Sequence, residues 1–132
     1  MDSAVRALVR SRAGNRCEYC MLDQSDPAIG HHVEHIVARQ HRGTDGDDNL
    51  ALACHRCNLH KGPNLTGVDP FMGAVVQLFH PRRDRWADHF KTTGAIIEGI
   101  SGVGRATVQV LAMNDARRVE LRRQILARQE LP

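Results

Sequence analysis

His31–Gly62 reads HHVEHIVARQHRGTDGDDNLALACHRCNLHKG, and the rest of the 132-residue chain is arranged around it. The stretch sets an acid beside a histidine (Glu34-His35), an asparagine after an acidic turn (Asn49) and another directly behind a cysteine (Asn58). Val33, Ile36 and Val37 sit among His and Glu, which predicts a strand over His31–Val37 with its chemistry on one face. Gly43–Asp48 is turn chemistry, and NLALA, Asn49–Ala53, is a second short strand. Cys54–Lys61 then predicts a short helix stopped by Gly62-Pro63. The unit is a hairpin with a long loop, followed by a helix.

Outward from this unit, Cys17 and Cys20 repeat the spacing of Cys54 and Cys57. Four thiolates at this double spacing complete a tetrahedral zinc shell with no position left for water, so such a site holds structure and performs no catalysis. The bland alternative is four reduced, partly buried cysteines. In a reducing compartment, paired C-x-x-C units are better read as metal ligands than as disulfides.

Ala4, Val5, Leu8 and Val9 recur at helical spacing, so Ser3–Ala13 reads as a short amphipathic helix ending at Gly14-Asn15. Met21–Gly30, with Asp26-Pro27, reads as a loop, as does Asn64–Pro70. Ala74–Phe79 predicts a strand, Arg82–Phe90 a helix with Trp86 and Phe90 on one face, and Ala95–Ile100 another strand. Ser101 is placed to cap a helix to Met113 with Val103, Ala106, Thr107, Val110 and Leu111 as its apolar stripe. Asp115 is placed to cap an arginine-rich last helix to about Gln129. No internal repeat or low-complexity linker interrupts the chain, so the expectation is one α+β domain over 1–132.

The chain is 42% hydrophobic but only 4% aromatic, so its core must be largely Val, Leu, Ile and Ala. Net charge is +3 with pI near 8.9, and the positive charge is mostly arginine, which favours a polyanionic partner. No apolar run has membrane-spanning length, and MDSAVRALVRSR lacks the apolar segment of a secretory signal. A cytoplasmic location is expected.

Strand parity places Glu34 with His32 on one face and His35 on the other, so a joint site needs a bulge or a strand end near Glu34. With that bend, the residues resemble the HNH endonucleases, whose ββα-metal unit is matched by Glu34-His35-Ile36, Asp48-Asn49-Leu50, and Cys57-Asn58 followed by Lys61. The resemblance is close over Cys17–Gly62. More loosely, RQH-x-G, LALAC-x-x-CN-x-HKGPNL and FHPRRDRW-x-x-HF make the whole chain look like small stand-alone bacterial HNH proteins.

The resemblance implies a core at 14–62, braced by zinc on Cys17, Cys20, Cys54 and Cys57, with an N-terminal helix and a strand/helix extension at 68–132. It implies His35 as general base, Glu34 and Asn58 as ligands of a catalytic divalent ion, and Asn49 as the brace that helps orient the base. Glu stands where the family commonly has Asp. His32 shares the strand face of Glu34 and is a further candidate ligand, whereas a surface or packing role suits His41 and His60 as well.

A carboxylate and an amide are hard ligands suited to Mg2+ or Mn2+. The implied reaction is hydrolysis of DNA phosphodiester bonds leaving 3′-hydroxyl and 5′-phosphate ends. Arg39 and Lys61 are candidates to hold the scissile phosphate, and Arg82, Arg83, Arg85 and the last helix to grip the backbone, with a solvated helix face as the plain alternative. One constellation per chain means that cutting both strands needs a dimer or two encounters. The rival is a non-catalytic zinc module that binds DNA or protein, which has no need of acid, base and amide together.

Overall fold

A computed structural model describes residues 1–24 and 30–130. Asp26-Pro27 of the expected loop therefore lies outside the described residues. Helix α1 (Ser3–Ala13) starts under Asp2, whose carboxylate accepts the Val5 N–H, and ends at left-handed Gly14. The central unit follows the expected order: β1 (His32–His35), β2 (Leu50–Ala53) and α2 (His55–Lys61), with Cys54 capping α2 through its sulfur. The architecture is α+β, built on a strand, strand, helix core.

β1 and β2 pair in antiparallel register, His32 opposite Ala53, Val33 opposite Leu52, Glu34 opposite Ala51 and His35 opposite Leu50. Opposed residues share a face, so the hairpin has two distinct sides. On one side Val33, Leu50 and Leu52 pack with Val5, Val9 and Ala13 of α1, a small cluster in which Leu52→Ala would cost about 3 kcal/mol. Arg12 ties α1 to this edge, donating to the carbonyls of Asp47 and Leu50, each at 2.6 Å. The other side carries His32, Glu34, Ala51 and Ala53, and the two alanines enter a larger core with the cysteines, Tyr19, Phe79, Phe90, Ile97, Leu111 and Met113. The register runs through Glu34 unbroken, so of the bulge or strand end expected there it is the strand end that occurs: β1 stops at His35, with Glu34 and His35 on opposite sides.

The C-terminal part departs further from expectation. Within the anticipated 64–70 loop lies β3 (Thr66–Val68), paired with β4 (Val75–Gln77). β4 is shorter than the anticipated Ala74–Phe79 because Leu78 donates back to Leu65 and Phe79 donates to the Thr107 hydroxyl. The expected helix at 82–90 is a single turn, α3 (Trp86–His89). Pro81 lies within a tight turn in which Arg83 and Asp84 donate to the His80 carbonyl and the Asp84 carboxylate takes the His80 N–H. Phe90 then opens β5 (Phe90–Thr93), which pairs with β6 (Ile96–Gly99).

α4 (Gly102–Val110) is capped by Ser101, whose hydroxyl accepts from Gly104 N at 3.0 Å. A Cβ on Gly104 would lie 1.9 Å from the His89 carbonyl oxygen, so the glycine lets α4 lie directly on backbone. α4 ends before the expected Met113 because Ala112 turns left-handed at φ 49°. α5 (Ala116–Glu130) follows, with the Asp115 carboxylate accepting from Arg118 N. Among the described residues no helix is long and apolar enough to cross a membrane.

Candidate metal centre and active site

The knuckles Cys17–Cys20 and Cys54–Cys57, separated in sequence by the hairpin, meet on the α2 side of β2. All four sulfurs lie within 4.8 Å of one another, and Cys20 and Cys54 are 3.7 Å apart. Sulfurs bound at about 2.3 Å to a tetrahedral ion stand about 3.8 Å apart, so the arrangement fits zinc. All four are buried. Hydrogen bonds among the four sulfurs, with burial, split them: Cys20 and Cys54 lie below the usual thiol value and Cys17 and Cys57 above it, as sulfurs that share protons do.

Arg118 was expected only among arginines for a nucleic-acid backbone. It is buried instead, donating to Cys57 Sγ at 2.9 Å and to the Leu111 carbonyl at 2.6 Å. A four-thiolate zinc shell carries about two negative charges into a dry interior, and this guanidinium offsets part of them. It also anchors α5 to the knuckles.

On the same side of the hairpin, Glu34 is only 7% exposed. One carboxylate oxygen accepts the Tyr19 hydroxyl at 2.5 Å and the other faces Lys61 Nζ at 3.4 Å. Burial pushes the Glu34 carboxyl above the usual carboxylate range, and Lys61 and Tyr19 pull back part of that rise. Lys61, 2% exposed, also donates to the carbonyls of Ile36 at 2.9 Å and His35 at 3.4 Å. The oxygens gathered around this ammonium are the hard donors a divalent cation takes. An ion bound at Glu34 must therefore displace the ammonium from it.

Asn58 stands three residues before Lys61 and three after His55, on one stripe of α2. The far end of that stripe meets His32, whose exposed ring lies 5.7 Å from that of His55. The structure thus brings Glu34 and Lys61 together at one strand–helix seam with His32 against His55 at its outer end, and Asn58 lies between His55 and Lys61 on the same stripe of α2.

His35 is on the other side, at the end of β1. Its Nε2 is 2.7 Å from Asp45 Oδ1, with side-chain exposures of 18% and 49%. Arg39 donates to both Asp45 oxygens, at 3.2 and 3.4 Å. The His35 hydrogen bond first, then Arg39, holds the Asp45 carboxyl below its ordinary value. The loop presenting Asp45 is closed by buried Asn49, whose amide donates to the carbonyls of Val37 and Thr44 and accepts from Val37 N. Gly43 lets the loop pass against Val37, since a Cβ there would fall 1.7 Å from the Val37 oxygen.

Residues 17–64 match the family model described as HNH endonuclease. That segment is similar to the HNH family. No curated protein and no solved structure matches the chain. Within the matched segment, His35, Asn49 and Asn58 occupy the strand end, the loop closure and the helix.

Of the arginines expected on DNA, Arg39 lies beside His35, whereas Arg82 is paired with Glu18, which in turn takes the Leu52 N–H. Arg82 is thereby a tie between the extension and the first knuckle. Arg83 and Lys61 line a cleft of about 240 Å³ with Ile36, Val37, Phe79 and His80, and Arg85 is exposed. Sequence reasoning missed Asp45 and Tyr19. Asp45 is one of three acids in a loop read as turn chemistry, and Tyr19 sits between two ligands that drew all the attention; neither carries a local signal of its partner.

Proposed function

We propose that the protein is a divalent-metal-dependent HNH endonuclease that hydrolyses DNA phosphodiester bonds. The observation that carries this reading is His35 at the open end of β1, held by a carboxylate, one strand residue from an oxygen-lined seam inside a matched HNH segment. His35 acts as the general base and takes a proton from the attacking water. Glu34 and Asn58 would hold Mg2+ or Mn2+, with His32 at the seam's outer end, and the ion would neutralise charge on the phosphate and the departing 3′ oxygen. At Glu34 that ion would take an oxygen that now faces the Lys61 ammonium. Arg39, Arg83 and Arg85 are the exposed cations for the backbone, and the products are 3′-hydroxyl and 5′-phosphate ends.

The closed Glu34–Lys61 contact favours one alternative, a zinc-braced binding module without catalysis. A plasmid assay with Mg2+ or Mn2+ separates the two. The parent is expected to relax supercoiled DNA, and His35→Ala, with zinc content and melting temperature matched, is expected to lose about 100-fold or more. Equal nicking by both would refute the assignment, and a gel shift without nicking by either would favour the binding module.

A further inference from the structure

The acid loop between the two strands holds a carboxylate with no assigned role, and its position is fixed more tightly than its exposure suggests. Asn49 bonds both ends of the 37–44 segment, Gly43 permits the chain to press on Val37, and the Thr44 hydroxyl accepts from Gly46 N at 3.2 Å. These contacts leave Asp45 at the mouth of the loop, against His35.

We propose that Asp45 is a positioning residue for His35. It accepts the Nε2–H of the ring, thereby fixing the tautomer and leaving Nδ1 as the basic nitrogen. Nε2 is 2.7 Å from Asp45 Oδ1, and among the described residues Nδ1 has no hydrogen-bond partner. A neutral imidazole has one donor and one acceptor nitrogen, so a carboxylate on one side makes the other the acceptor. The same carboxylate stabilises the imidazolium that forms once the water's proton has been taken. Through its second contact Asp45 holds Arg39, whose side chain is 67% exposed, beside the base. One carboxylate thus sets the spacing between the proton acceptor and a cation for the phosphate.

This inference rests on His35 being the base, so the experiment must separate the two. The zinc-loaded full chain without divalent ion, labelled with 15N, is expected to show a downfield, slowly exchanging His35 Nε2–H. The resonance is assigned by its absence in His35→Ala, and it is expected to vanish in Asp45→Ala. With Mg2+ and plasmid DNA, kcat of Asp45→Ala should fall about 10- to 100-fold, more than KM rises, with Mg2+ dependence unchanged. Asp45→Asn, which keeps an accepting oxygen, should recover part of the loss. Asp45 is exposed enough for these variants to fold.

Cleavage that survives His35→Ala would overturn the nuclease reading itself. Cleavage lost in His35→Ala but kept at the parent rate in Asp45→Ala, or an unchanged Nε2–H signal, would overturn this inference alone. So would a shift confined to the Mg2+ dependence, which would make Asp45 an ion ligand.

Discussion

The four-cysteine centre and the His35 patch lie at opposite ends of one hairpin–helix unit and are built in opposite ways. At the first, every sulfur is buried, Arg118 reaches in from α5, and both halves of the chain contribute to the same core. At the second, the ring is partly open to solvent, its partner is a loop acid, and Asn49 and Gly43 help hold the loop in place. The difference separates holding from reacting. A site that braces the fold excludes water and is determined many times over, whereas a site that must admit water and a phosphate is supported from one side. Glu34 stands between the two, with Tyr19 from the zinc knuckle on one oxygen and Lys61 from α2 on the other.

The largest expected effect is removal of zinc. In zinc-dependent peptides, binding is worth on the order of 10 kcal/mol, which is folding energy. Stripping the metal with a strong chelator should therefore abolish the cooperative melting transition seen by circular dichroism, while His35→Ala leaves it in place. A chelated protein that still melts cooperatively at the parent temperature would break the contrast between the two ends.

An intermediate effect belongs to Arg118→Met, which keeps the packing but leaves the thiolate cluster without its donor. The expected cost is about 2 to 3 kcal/mol in urea unfolding, with faster zinc release to a chromogenic chelator. Unchanged stability together with unchanged release would mean that the guanidinium contributes nothing to the centre.

The smallest effect on stability, though a large one on activity, is expected of Asn49→Ala. Its amide and carbonyl satisfy Val37 N, Val37 O and Thr44 O, and losing them should cost about 1 to 3 kcal/mol. Because that loop carries Asp45, nicking should fall more steeply than stability does. A variant that loses stability and keeps full nicking would show that loop closure is irrelevant to His35.

Much of this was legible along the chain. The C-x-x-C pairs, the Asn49 and Asn58 positions and the strand–strand–helix order are local patterns, because ligand spacing and short-range periodicity are written in consecutive residues. The caps at Ser101 and Asp115 are local in the same sense. What failed was whatever depended on a distant partner. The helix expected at 82–90 gave way to a turn and a strand once Phe90 found Gly99 across a sheet and Arg82 found Glu18. Of the bulge or strand end expected near Glu34, β1 takes the strand end at His35, but that Glu34 faces inward onto Tyr19 and Lys61 was not readable locally.

By itself the sequence determined that this chain makes a ββα unit with four cysteines at metal-ligand spacing, because thiolate spacing and strand period need only neighbours to be read. Only the tertiary structure decided that Lys61 occupies a cage of oxygens, that Arg118 backs the thiolates, and that Asp45 faces the ring of His35. Those pairings join residues 10 to 61 positions apart. Nothing in the local alphabet distinguishes a buried lysine or a ring-holding aspartate from its solvated neighbours until the chain has folded around it.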